Sequence, residues 1–115
     1  MISINYMAKK RIPKKTIKIV QNYTQRLSKE DKLPIKKVII FGSQAKGKSQ
    51  KWSDIDVCII SPRFKDTMKA LEFLLVKRKK EEVMAGLEPI GFSPKDFQEG
   101  SALVHEIKET GVVVK

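Results

Sequence analysis

The run Lys36-Lys37-Val38-Ile39-Ile40-Phe41 stops at Gly42-Ser43, and ten residues later Asp54-Ile55-Asp56 opens a second apolar run, Val57-Cys58-Ile59-Ile60. Two β-branched segments tied to a Gly-Ser turn and a pair of carboxylates leave this chain few folds to choose from. Carboxylates two positions apart on a strand share a face, about 6.6 Å apart along the backbone, so both lean toward one site and suit a hard cation. A Gly-Ser turn at the end of the neighbouring strand offers amide hydrogens and a hydroxyl to phosphate oxygens. Asp-Ile-Asp alone marks many strand starts, and Gly-Ser alone marks many turns. Their order here, each attached to an apolar strand, is the specific signal. A metal site beside a phosphate cradle is the equipment of phosphoryl or nucleotidyl transfer by a two-metal route.

Composition bounds the alternatives. The 115 residues suffice for one domain, 1–115, with one modest core. No apolar run reaches membrane-spanning length, and Met1–Tyr6 lacks the h-region of a secretory signal. The single cysteine, Cys58, rules out an internal disulfide, and one Cys with one His makes a Cys/His metal cluster a poor expectation. The expected compartment is the cytoplasm, with no membrane partner. Net charge is +11, from 24 basic and 13 acidic residues, which favours polyanionic partners such as nucleotides, RNA or an acidic protein. The basic residues are spread out with no interleaved aromatic platform for bases, so direct nucleic-acid binding is not expected as the main role.

Along the chain, residues 1–11 are expected to fray. A helix runs from Pro13 to about Leu27, with Ile17, Val20, Tyr23 and Leu27 facing the core. Strands are expected at Ile35–Phe41, Ile55–Ile60 and Leu87–Ile90, and a short helix at Ser43 with its N-terminus toward the site. Asp66 caps a helix to Met84 with Met68, Leu71 and Leu75 inward, and Gly86 stops it. Ser93-Pro94-Lys95-Asp96-Phe97 reads as a helix start stapled by Phe92. A last helix, Ala102–Glu109, ends at Gly111 before a short edge strand, Val112–Val114. The fold class is α/β (α+β): a small mixed sheet with helices packed on one side.

At Phe41-Gly42-Ser43, the ten-residue spacer and Asp54-Ile55-Asp56-Val57, the chain resembles the polymerase-beta-type nucleotidyltransferase superfamily. The string Gly42-Ser43-Gln44-Ala45-Lys46-Gly47 with Ser53-Asp54-Ile55-Asp56 is similar to the minimal nucleotidyltransferases of prokaryotes. Those usually carry Arg where Lys46 stands; Lys keeps the charge and loses the planar fork. The motif-bearing stretch covers about half the chain, and Leu87–Phe97 resembles the same group. The resemblance implies a nucleotidyltransferase fold in which Asp54 and Asp56 are catalytic and hold two Mg²⁺ ions, with Mn²⁺ as an alternative. A third acid comes from a later strand, and Glu88 matches it, with Glu for the commoner Asp, as ligand or base. Gly42, Ser43, Lys46 and Ser53 would bind the nucleotide, ATP being the substrate.

Minimal nucleotidyltransferases of this kind are paired with a small helical partner, HEPN, in toxin–antitoxin systems. The resemblance therefore implies a hetero-oligomer in which AMP passes from ATP to a tyrosine hydroxyl of an RNase toxin. One rival is a contact-only antitoxin, against which three intact carboxylates argue. The other is transfer to a small molecule such as an aminoglycoside, against which the lack of a second domain and of an acidic cluster argues. Trp52, as stacking surface or packing anchor, stays open; Cys58 is expected to be a buried small hydrophobe and His105 a surface or half-packed residue.

Overall fold

A computed structural model describes residues 12–47 and 53–115. The expected fraying of 1–11 and the side chains of Lys48, Lys51 and Trp52 lie outside those residues. Helix α1 spans Lys14–Glu30, with Pro13 immediately before it. Its buried stripe is Thr16, Val20, Tyr23, Thr24 and Leu27, while Ile17 packs against the core from its margin. The chain leaves α1 through Lys32 at φ 54°, and the Leu33 N–H donates back to the Leu27 carbonyl at 3.2 Å.

Four strands follow: β1 (Lys37–Phe41), β2 (Ile55–Ile60), β3 (Leu87–Phe92) and β4 (Val112–Val113), in the order β3-β2-β1-β4. β1 is antiparallel to both β2 and β4, and β2 is parallel to β3. The sheet is thus mixed, as expected. Alternation along each strand sends side chains to two faces. Val38, Ile40, Ile55, Val57, Ile59 and Leu87 join Val20, Tyr23 and Leu27 of α1 in the larger core. Helix α2 (Thr67–Val76) adds Ala70 and Leu74 to that face.

Ile39, Cys58, Ile60 and Phe92 point the other way. They meet Phe97 of α4 (Pro94–Glu99) and Val104 and Ile107 of α5 (Ala102–Thr110). The one-sided packing expected from the sequence therefore describes the long helices, while two short ones cover part of the opposite face. β2 is buried along its length except at Asp56, which is half exposed; a strand covered on both faces reads as a continuous apolar run.

The helix expected over 66–84 is two. Asp66 caps α2 as expected, accepting from the Met68 and Lys69 amides at 3.0 and 3.1 Å. The chain then breaks before α3, Lys80–Met84. No Gly or Pro marks that break; tertiary charge contacts make it. Arg78 donates to the carbonyls of Leu75 at 3.1 Å and Leu87 at 3.0 Å. Glu82 accepts the Lys79 amide at 2.7 Å and receives Arg26 of α1 bidentately at 2.6 and 2.9 Å. Charged, bidentate bonds of this kind are the strong ones and fix α3 against α1. The inward stripe of α2 is Ala70 and Leu74, and Met68 is exposed.

α1 and α2 are joined by the Tyr23 hydroxyl, which donates to the Leu74 carbonyl at 2.6 Å in the buried core. Tyr23→Phe is expected to cost about 1 kcal/mol, the net worth of one such bond, read from the urea midpoint. The cap and staple at α4 form as expected. Ser93 Oγ accepts the Asp96 amide at 3.1 Å, and the Phe92 and Phe97 rings stand 6.3 Å apart. Cys58 is buried, and burial pushes its thiol up to about 12. His105 is exposed, with Nε2 3.1 Å from Glu109 Oε1.

Candidate active site

β1 ends at Phe41 opposite Asp56, and Asp56 stands in register with Glu88 on β3. One row of the sheet therefore reads Phe41, Asp56, Glu88, with the two acidic residues on neighbouring strands whose backbones run about 4.8 Å apart. Asp54 lies one step before β2, where the Ile55 N–H donates to the Gly86 carbonyl at 2.8 Å and continues the ladder. Asp54 and Glu88 are exposed and Asp56 half buried. α4 and α5 pack on this face over Ile39, Cys58 and Ile60, leaving the row of carboxylates at its open end.

Both aspartates rest against glycines at positive φ. Gly42 has φ +74°, and a Cβ there would fall onto Oδ2 of Asp56 and within 3.2 Å of its Cγ. Gly86 has φ +84°, and its Cβ would come within 3.3 Å of both Cα and Oδ1 of Asp54. An L side chain is disfavoured at such φ whatever the space. The sequence marks Gly86 only as a helix stop; that it borders Asp54 emerges from the β2–β3 pairing.

The expected helix at Ser43 is absent. Residues 42–47 form consecutive turns, closed by Lys46 N–H to the Gly42 carbonyl at 3.2 Å and Gly47 N–H to the Gln44 carbonyl at 3.3 Å. Ser43 supplies a cap signal, but Gly47 at φ 70° stops the run after one turn, too short a nucleus to propagate. The buried Gln44 anchors the turn, accepting from Thr16 Oγ1 of α1 at 3.3 Å. Ser43 and Ser53 are half buried on the two sides of the site. Lys46 is exposed, its Nζ 3.9 Å from Glu106 Oε1 of α5.

Glu106 is the acidic residue that sequence reading passes over. Its place follows from Val104 and Ile107, which seat α5 on the sheet; only tertiary packing brings it near Lys46 and Asp56. The Asp56 carboxyl is raised above the ordinary range, first by burial and then by the charges of Asp54, Glu88 and Glu106. A carboxylate held half buried among others is a poor stabiliser and a good site for positive charge. Among the described residues no three His, Cys, Asp or Glu side chains stand as a ready-made ion cage. The donor set nevertheless suits a divalent cation: hard carboxylate oxygens on adjacent chain segments, open to the water or phosphate oxygens that would complete a magnesium shell.

A mixed sheet carrying carboxylates at a strand start, beside a glycine turn, defines the class as an α/β domain with an acidic site. Its family is given by comparison. The sequence profile of the nucleotidyltransferase domain matches residues 17–112, and the chain belongs to that family. Among solved structures, it is similar to a protein from Sulfolobus solfataricus, described as a candidate nucleotidyltransferase. The TM-score is 0.64 at 13% identity, over 98% of this chain and 90% of that one; at that identity the likeness speaks to the fold. A comparison with curated protein sequences finds none that matches. Family membership supports nucleotidyl transfer as the general activity. Among the described residues no helix is long and apolar enough to cross a membrane.

Proposed function

We propose that this chain transfers AMP from ATP to a hydroxyl, with Asp54, Asp56 and Glu88 as the working carboxylates. The observation that carries the reading is the register row, Asp56 beside Glu88, lying directly under the Gly42 turn. Asp54, Asp56 and Glu88 would hold two Mg²⁺ ions, or Mn²⁺, which neutralise phosphate charge and lower the pKa of the attacking hydroxyl. The amides of the Gly42–Ser43 turn and the Ser43 hydroxyl would donate to phosphate oxygens, with Lys46 and Ser53 at the rim. The hydroxyl oxygen bonds to the α-phosphorus, the bond from that phosphorus to the bridging oxygen breaks, and pyrophosphate leaves. Glu88, exposed at the open side of the row, would take the hydroxyl proton. Glu88→Gln is expected to slow transfer about a hundredfold, the lower range for a general base, and to change nucleotide affinity less; a rate within about twofold of wild type removes Glu88 from the reaction.

The acceptor proposed is a tyrosine of a small helical HEPN-type RNase, silenced by AMP within a hetero-oligomer. Two features support it: the resemblance of the Gly42–Gly47 and Ser53–Asp56 strings to minimal nucleotidyltransferases, and a net charge of +11 that would draw an acidic partner. The test is the intact mass of a co-purifying partner after incubation with ATP and Mg²⁺. A gain of AMP, lost with Asp56→Asn, supports the reading. Stable binding with no mass change under any nucleoside triphosphate favours contact-only neutralisation instead.

A further inference from the structure

Lys46 and Glu106 are joined across the mouth of the site, and no motif links them. Lys46 closes the Gly42 turn through its amide, so its side chain is tied to the segment that meets phosphate in the proposed function. Glu106 projects from α5, whose neighbour Ile107 is fully buried against the sheet; the carboxylate is thus on a seated helix. The pair is long, 3.9 Å, and both side chains are about half exposed, 42% and 52%. An exposed pair of that length contributes little and exchanges partners easily. A triphosphate beside Asp54 and Asp56 presents more negative charge than one carboxylate, and the flexible Lys46 stem can turn from one partner to the other.

We infer that Glu106 competes with the nucleotide for Lys46: it engages Lys46 in the ion-free site and gives it up to a phosphate oxygen when the nucleotide binds. Glu106 also bears on Asp56 through space, so its removal can act in two ways: freeing Lys46, or easing the crowding of carboxylates. Only the first runs through Lys46.

This inference rests on the nucleotide-binding reading above, and a cycle of variants separates the two. Equilibrium titration with ATP and Mg²⁺ is made on wild type, Glu106→Gln, Lys46→Met, Lys46→Arg and each Lys46 variant combined with Glu106→Gln. Glu106→Gln is expected to tighten ATP about two- to fivefold, the range an exposed ion pair is worth. In the Lys46→Met background the same change is expected to give no gain, and with Lys46→Arg the gain is expected to return. Melting temperatures should stay together, because both side chains are on the surface. An equal gain with and without Lys46 assigns Glu106 to the general field and overturns the inference, as does no gain in the wild-type background. If wild type itself fails to bind ATP, the functional reading falls and this inference with it.

Discussion

Asp56→Asn is expected to slow nucleotidyl transfer roughly a thousandfold or more, while raising the melting temperature of the ion-free protein by a few degrees. The two effects share one cause. The carboxyl of Asp56 is raised by burial and by Asp54, Glu88 and Glu106, so the folded protein binds its proton more tightly than the unfolded chain does. The contribution of Asp56 to stability is then fully present below the unfolded value near 3.9 and is lost as pH rises through the folded one. At pH 7 the ionised group is a net burden that asparagine removes. The stabilisation by Asp56→Asn should therefore be present at neutral pH and vanish toward pH 3, in thermal melts with chelator. Loss of activity with gain of stability marks a residue kept for chemistry; a variant that is both inactive and less stable would make Asp56 a structural residue.

Gly42→Val carries the second large effect. The position lies at φ +74°, and its missing Cβ is the space occupied by Oδ2 of Asp56. A β-branched side chain held in the left-handed region costs about 1–2 kcal/mol and also displaces the carboxylate. Transfer is expected to be lost and the melting temperature lowered. Gly42→Ala keeps the clash with less bulk and should fall between Val and wild type. Ser43→Ala removes one donor to a charged oxygen, about 1.5–3 kcal/mol, so it should be milder. Ser43→Ala worse than Gly42→Val would contradict the close fit of glycine and aspartate.

The strands were legible because their signals are local. Val38–Phe41 and Val57–Ile60 are short apolar runs bounded by turn residues, and Asp54 and Asp56 sit where period two places them together. The caps at Asp66 and Ser93 were legible for the same reason: a side chain that reaches an amide two or three residues on needs no tertiary partner. The break between α2 and α3 was not, because it depends on Arg26 meeting Glu82 from another helix. The helix expected at Ser43 does not form because Gly47, at φ 70°, ends the run after a single turn. Glu106 and Gly86 were invisible as neighbours of the aspartates, since α5 packing and strand pairing put them there. The second helical layer was missed in the same way: Val104 and Ile107 have helical spacing, but which face of the sheet they cover is decided by the register of β4 beside β1.

Calorimetric titration of ATP into the protein, with Mg²⁺ and again with chelator, tests most directly that the acidic row under the Gly42 turn is a metal–nucleotide site. Binding is expected with Mg²⁺, with loss or severe weakening in chelator and in the Asp54→Asn/Asp56→Asn double variant, which should still melt cooperatively. ATP binding that is equal with and without the ion, and unchanged in the double variant, would contradict it.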